Sequence, residues 1–138
     1  MLIRPAADIP ILQISLLSSL GPHANVAIGK ALSPLLNQGV TIIGSGLSFH
    51  NLSVMLSGEP KSATEDEIFD DWLNDVLVGD NQSEEQRATR LVHWNTAPGA
   101  QFCHPREEHL LPFMFVMARL PRLVLWEKTF TAKSCWAS

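Results

Sequence analysis

The chain lacks the features that mark several large classes of protein. Its 138 residues contain only two cysteines, Cys103 and Cys135, so no disulfide framework is implied and a reducing, cytoplasmic location is the default expectation. No apolar run reaches the roughly 18 residues that suggest a membrane-spanning helix. Pro5, Asp8 and Pro10 interrupt the apolar N-terminus, which argues against a signal peptide.

Positive charge is also scarce. Ten Lys and Arg residues stand against 14 Asp and Glu residues, which gives a net charge of -4 at pH 7, and the basic residues are scattered along the chain. A nucleic-acid partner is therefore not expected, because such partners require a clustered basic surface. The length is that of one domain, and a hydrophobic fraction of 46% is typical of a globular protein with a real core.

Several catalytic motifs are missing from the two most distinctive segments. "GSGLSFHN", residues 44–51, has neither the third glycine of the dinucleotide fingerprint, nor the lysine of a phosphate-binding loop, nor the centred serine of a nucleophile elbow. "HPREEH", residues 104–109, is not the H-E-x-x-H zinc helix, and its two histidines are fewer than the three protein ligands of a catalytic zinc site. NAD enzymes, serine hydrolases and zinc proteases are thus not supported.

What is present predicts an α/β unit. "IPILQISLL", residues 9–17, and "VTIIGSG", residues 40–46, are apolar runs typical of buried strands. The residues between them, 21–39, predict a helix that Pro34 kinks and Gly39 ends. Strand, helix and strand with short connections predict two parallel strands that are buried on both faces.

Further helices are predicted beyond the glycine turn. One begins at Ser62 or Thr64 and carries an acidic face expected to lie in solvent, and a second is capped by Ser83. A third is predicted after Pro105, where proline suits the first helical position, although Pro112 fits poorly inside it. "RLVLW", in the C-terminal tail, could add another strand.

His50 has two interpretations. It follows a predicted strand at the edge where open α/β sheets bind ligands, and its unperturbed pKa suits a general acid or base. Ser48 and Asn51 beside it are then candidates for binding a substrate. Alternatively, the segment is an ordinary turn in which His50 is a cap or a satisfied polar residue.

His104 and His109 are similarly open to two interpretations. His104 precedes the helix predicted after Pro105, and this position frees its side chain to converge with His109 on a common site. The alternative is a helix N-terminus with incidental histidines. Glu107 and Glu108 are more typical of first-turn acids that complement the helix dipole than of metal ligands.

Three segments, taken together and in order, resemble a known family. "ADIPILQISLL", "GVTIIGSGLSFHNL" and "NTAPGAQFCHPREEHLLPFMFVMA" are similar to the C-terminal half of class III extradiol ring-cleavage dioxygenases, in the LigB-like branch related to 4,5-DOPA dioxygenase. The resemblance covers about four fifths of the chain. The pairing of G-S-G-x-x-x-H-N-L with H-P-x-x-E-H-x-L-P at this separation is specific.

The resemblance implies a fold, a cofactor and a reaction. The fold would be part of a three-layer α/β sandwich, with a mixed, largely parallel sheet flanked by helices. One divalent metal, Fe(II) or Zn(II), would bind a catechol-type aromatic diol and dioxygen, and the ring would open beside the two hydroxyls. His50 matches the family's histidine after the glycine turn, which is assigned to acid/base work or counted with the metal site. His104 and His109 match the two H-P-x-x-E-H histidines, one of which is associated with the metal, and which of the two is the ligand is left open. All three are therefore metal candidates, and His50 and His109 are the catalytic candidates.

The chain also departs from the family pattern. Members are nearly twice as long, and two histidine ligands lie in an N-terminal half that has no counterpart here. Residues 1–120 therefore correspond to the C-terminal half of the domain, followed by a divergent tail at 121–138. We expect a truncated product that binds metal weakly or not at all and is poorly active; its oligomeric state is left open. The alternative is a non-catalytic α/β remnant or subunit-interaction domain.

Overall fold

A computed structural model of the protein describes residues 8–57 and 64–117. Six α-helices and two 3-10 helices follow one another in this part of the chain. The α-helices are α1 (Pro22–Leu32), α2 (Leu52–Leu56), α3 (Thr64–Val78), α4 (Glu84–Val92), α5 (Ala100–Cys103) and α6 (Leu111–Met117). The 3-10 helices are Ser33–Gln38, directly after α1, and Trp94–Thr96, directly after α4.

The first helical segment follows its sequence signals. Pro22 occupies the first position of α1, where its missing N–H costs nothing. The α-helix ends at Leu32, and a 3-10 helix that contains Pro34 begins at Ser33. Gly39 ends it with φ of 77°, a left-handed conformation that favours glycine. The predicted helix end at Gly39 is confirmed, and the kink at Pro34 stays a prediction.

Helix α3 spans Thr64–Val78 in the described residues, and the alternative predicted start at Ser62 lies outside them. Its apolar stripe is buried as expected at Phe69 and Leu73. The acidic residues, however, do not all lie in solvent: Asp66 and Asp70 are buried, and only part of the acidic face is exposed. The prediction of a wholly solvated face was wrong because the helix packs on both α4 and α5, so its covered face is wider than the apolar stripe.

Side-chain hydrogen bonds join α3 to α4. Ser83 and Gln86 form a reciprocal capping box at the start of α4, as the sequence predicted for Ser83. In the connection, Gln82 Nε2 donates to the carbonyl oxygens of Asp75 and Val76, which lie in the last turn of α3. The Asp75 carbonyl also accepts from Gly79 N, and the Val76 carbonyl also accepts from Arg87 Nε, so the connection adds hydrogen bonds to the C-terminal end of α3 while it starts α4.

The last helix begins later than predicted. Residues 105–110 form bends and turns, and α6 starts only at Leu111. Pro105 is therefore not a first helical residue, whereas Pro112, which had seemed misplaced, lies in the first turn, where proline is tolerated. His109 consequently lies in a turn ahead of the helix, which frees its direction from the helical register.

The core lies where these helices meet. Helix α1 packs chiefly against α6, and α3 packs on α5 and α4. The largest fully buried apolar side chains are Phe69, Leu73, Leu91, Leu110, Leu111, Met114 and Val76. None of the helices in the described ranges is long and apolar enough to cross a membrane.

The predicted α/β sandwich is wrong for the residues that the structure describes. They contain helices and no strand, so neither the parallel pair nor the mixed sheet is formed. Residues 9–17 and 40–46 are instead irregular, and Ile11, Leu12 and Ile43 are 83%, 92% and 69% exposed. An apolar run favours a strand, but a strand needs a neighbour to accept its backbone hydrogen bonds, and these two runs do not pair. "RLVLW" and the boundary at residue 120 lie outside the described residues.

The exposed aliphatic segment, residues 9–17, predicts that copies of the chain associate with one another. We expect the chain to sediment well above its monomer mass of 15.2 kDa, because apolar surface of this kind is buried when two copies meet. Ile11→Lys combined with Leu12→Lys should restore the monomer mass in sedimentation equilibrium at increasing protein concentration. Leu56→Lys is the matched control, because Leu56 is 81% exposed but lies on α2. A parent chain that stays monomeric, or an equal effect of the control, would contradict the prediction.

Candidate metal-binding site

Backbone hydrogen bonds hold the glycine-rich turn against the histidine-rich segment. Leu47 N donates to the carbonyl of His109 at 3.0 Å, and His50 N donates to the carbonyl of Cys103 at 2.9 Å. The two segments are more than 50 positions apart in sequence, so these bonds are tertiary contacts. They align residues 47–50 with residues 103–109 and bring the histidines of the two motifs together.

Two glycines make this close approach sterically feasible. A Cβ atom at Gly46 would lie 2.5 Å from the His109 carbonyl oxygen, and one at Gly44 would lie 2.6 Å from the Pro112 carbonyl oxygen. Both distances are too short for any side chain. The glycines of "GSG" are therefore required because the backbone lies directly on the segment that carries His109.

Three potential ligands converge beside this contact. The imidazole rings of His50 and His109 stack with their centroids 3.5 Å apart and their planes at 29°. Together with Glu108 they form a group in which one ligand atom from each residue lies within 4.8 Å of the others. All three residues are half-buried, so the group is open to a ligand from solvent.

The electrostatics of this group favour a neutral His50 ring and a bound cation. Partial burial lowers the pKa of His50, His109 beside it lowers the pKa further, and Glu108 opposes both effects. Glu108 Oε2 is buried and accepts no hydrogen bond within the described residues; Arg106 Nε lies 3.3 Å away in an ion pair without hydrogen-bond geometry. A buried carboxylate oxygen of this kind is a group that a metal ion satisfies.

His104 is placed differently from the other two histidines. Its side chain is fully buried, and its Nε2 lies 2.9 Å from the Ser48 carbonyl oxygen, to which it donates. Burial lowers the pKa of His104 to about 4, against the raising effect of that hydrogen bond, so the ring is neutral at pH 7. The structure brings His50 and His109 together in the ligand group but leaves His104 outside it.

The two predicted substrate-binding residues have structural contacts of their own. Asn51 Nδ2 donates to the Phe102 carbonyl at 2.7 Å, and Asn51 Oδ1 accepts from Val54 N as the cap of α2. Ser48 is buried. Both lie next to His50 as expected, and their role in binding a substrate stays a prediction.

The remaining histidines and the described cysteine lie outside the ligand group. His23 and His93 are exposed and contact each other edge to face, with ring centroids 6.2 Å apart. Cys103 is buried, and burial, followed by the nearby Asp66, raises its pKa to about 12. Its thiol is therefore protonated and is a poor ligand or nucleophile at pH 7.

Glu108 is the ligand candidate that sequence reasoning missed. It was assigned to the first turn of a helix starting at Pro105, but that helix begins at Leu111, and Glu108 lies in the preceding turn together with His109. One signal was available: Pro112 is tolerated only near a helix start, which favours a later start and leaves residues 105–110 outside the helix.

The residues present fit a single divalent metal. Two imidazoles and one carboxylate are the donor set of non-haem Fe(II) oxygenases, and Zn²⁺ accepts the same donors. Three protein ligands are also the number that a catalytic site uses when it keeps a position open for substrate. The group His50, Glu108 and His109 is therefore a candidate metal site, without a preference among metals on geometry alone.

Comparison with known proteins gives consistent matches. The chain is 36% identical over 126 residues to the dioxygenase tasH of Hapsidospora irregularis, a match that covers 82% of this chain and 37% of that protein. It is 37% identical over 115 residues to the 4,5-DOPA dioxygenase extradiol of Mirabilis jalapa, covering 81% of this chain and 40% of that protein. The protein of the same name from Escherichia coli K12 is 28% identical over 114 residues, with coverages of 82% and 41%.

The chain thus spans about two fifths of the length of the curated relatives that it matches. No protein-family model matches it, and no solved structure gives a significant match. The relatives confirm the resemblance found in "GSGLSFHN" and "HPREEH". The chain belongs to the LigB-like branch of the extradiol dioxygenases that contains the 4,5-DOPA dioxygenases.

Proposed function

We propose that this chain carries the metal-binding part of an extradiol dioxygenase that opens catechol-type aromatic rings. The observation that carries the proposal is the convergence of His50, Glu108 and His109 from the two motifs that the family resemblance links. The dioxygenase names of its relatives support the reaction class. Fe(II) is the metal we propose, because two imidazoles and a carboxylate are its preferred set in oxygenases.

Each of the three side chains has a distinct task in this proposal. His109 would supply a ring nitrogen and Glu108 a carboxylate oxygen to the metal, and Glu108 would offset part of the cation's charge. A ferrous ion, when bound, supplies Lewis acidity and a site where the diol and dioxygen are held side by side. The neighbouring Arg106 is exposed and leaves Glu108 Oε2 without a hydrogen bond, so the carboxylate is available.

His50 has two possible tasks, and the proposal keeps both. As the third ligand it would complete the group. As a general base it would take a proton from a substrate hydroxyl, since its lowered pKa keeps it neutral at pH 7. Both tasks require the His50 ring to lie beside His109, and the two rings are stacked in this way.

Metal titration of purified, metal-free protein tests the proposal. The length of the chain alone led us to expect weak or absent metal binding, but three potential ligands lie together in the structure. We therefore expect one Co²⁺, or one Fe²⁺ under anaerobic conditions, to bind per chain by calorimetry. His109→Ala and Glu108→Gln should each weaken binding at least about tenfold, because each removes one of three ligands. His50→Ala should weaken binding equally if His50 is a ligand, but should leave it nearly unchanged if His50 is the base.

His93→Ala is the control, because His93 is an exposed histidine outside the ligand group. A parent chain that binds no metal, or ligand variants that bind as tightly as the control, would contradict the proposed site. Catechol-dependent oxygen uptake by the metal-loaded chain then tests the activity itself. Because the chain spans two fifths of its relatives, we expect that uptake to be weak.

A non-catalytic interaction domain is the second candidate. The exposed aliphatic segment at residues 9–17 favours it, because that surface suits contact with another polypeptide. Such a domain would self-associate or bind a partner without binding metal. The titration therefore separates the two candidates.

A further inference from the structure

Four hydrogen bonds connect residues 47–51 to residues 102–109, and one of them comes from a fully buried side chain. Two join backbone groups, at Leu47 and His50, and a third is made by the half-buried amide of Asn51. The fourth runs from His104 Nε2 to the Ser48 carbonyl, two residues before His50. The side chain of His104 therefore binds the backbone of the other motif.

The surroundings of His104 fix its ring. Phe69 and Trp94 contact it edge to face, with centroid distances of 5.7 Å and 6.0 Å. The Ser48 carbonyl can only accept, so Nε2 carries the proton and the neutral ring has its lone pair on Nδ1. Nδ1 is buried without a hydrogen bond within the described residues. In this part of the chain, the hydrogen bond of Nε2 is therefore the one polar contact of the ring.

A metal-ligand role does not fit this arrangement. Nε2 bears a hydrogen, and the ring's lone pair is on Nδ1, an atom that belongs to no group of three potential ligands in the described residues. His104 is also absent from the group in which His50, Glu108 and His109 lie within 4.8 Å of one another. What the ring does is hold the backbone from which His50 projects.

We propose that His104 is a positioning residue: its Nε2–H holds the Ser48 carbonyl and thereby keeps His50 stacked on His109. Part of this inference rests on the proposed function, because the stacked pair of His50 and His109 matters for binding only if these residues form a metal site. The hydrogen bond fixes the peptide two residues before His50, and a rigid contact of this kind pre-organises the ligands before the metal arrives.

Glutamine and leucine at residue 104 separate positioning from ligation. Glutamine places an Nε2–H donor the same number of bonds from Cα as histidine does, whereas leucine has no donor. If His50 is the third ligand, we expect His104→Gln to bind Co²⁺ within about threefold of the parent and His104→Leu to bind about tenfold more weakly, the scale of one hydrogen bond. Loss of binding in both variants would overturn the proposal, because it would make the ring itself a ligand.

A metal-free measurement keeps this test independent of the proposed function. In NMR spectra of the EDTA-treated chain, cross-relaxation peaks between the His50 and His109 ring protons should persist in His104→Gln and disappear in His104→Leu. Peaks that persist in His104→Leu would overturn the proposal even if the parent binds no Co²⁺. If His104→Leu does not fold, His104→Asn replaces it, because its shorter amide cannot reach the Ser48 carbonyl.

Discussion

Replacing Gly46 by alanine should lower the free energy of unfolding by about 3 kcal/mol, the upper part of the range for overpacked sites. The added methyl group would lie 2.5 Å from the His109 carbonyl oxygen and 3.0 Å from Phe113 Cδ2, so the two segments must move apart. That movement also strains the hydrogen bond from Leu47 N to the same carbonyl. Urea unfolding followed by tryptophan fluorescence measures the change, since Trp94 is buried in the core.

Gly21→Ala is the matched control for this substitution. Gly21 is also a glycine, but the nearest atom to a Cβ added there would be Ser19 Oγ at 3.8 Å. Its φ of -75° suits any residue. The control should lose less than about 1 kcal/mol, the ordinary cost at an N-cap. Equal stabilities of Gly46→Ala and the parent would show that the two motifs are not in direct contact.

Acidification from pH 7 to pH 5 should cost about 2 kcal/mol of stability through His104 alone. The pKa of this residue is about 4 in the folded chain and about 6.5 when unfolded. Between these values the unfolded chain binds more protons, so stability is complete above about pH 6.5 and is lost as the pH falls toward 4. His50 and His109 lower this pKa and Glu108 raises it, but burial is the largest cause.

The measurement is urea unfolding in EDTA at pH 7 and at pH 5. His104→Gln should lose about 2 kcal/mol less than the parent over this interval, because glutamine does not titrate while it keeps a donor for Ser48. Every other contribution to the pH dependence is common to both proteins and cancels in the comparison. An identical loss in both proteins would mean that His104 is not buried as a neutral ring.

The candidate site was only partly predictable from the sequence. His50 and His109 were both identified, because the family resemblance connects their motifs, and the structure brings them together. His104 was identified with them but lies outside the ligand group, and Glu108 lies inside it although it was assigned to a helix. Neighbouring residues in one motif can thus differ completely in burial, which no pattern of residue types specifies.

The local parts of the fold followed from the sequence alone. The Ser83 cap of α4 and the helix end at the left-handed Gly39 each depend on neighbours a few residues away. Such features are encoded within one turn of chain, so the residues that form them are visible in sequence. Family membership was likewise visible, because two motifs at a specific separation carry it.

Long-range contacts decided whether strands form and which histidine side chains meet. The apolar runs at residues 9–17 and 40–46 have strand composition, yet a strand forms only with a paired neighbour, and the described residues do not supply one. Likewise, the directions of His50, His104 and His109 depend on hydrogen bonds between segments more than 50 positions apart. The sequence by itself determined the cap of α4, the helix end at Gly39, the family and the residues worth testing. Only the tertiary structure decided which of them meet, because burial and pairing belong to the folded chain and not to any one segment.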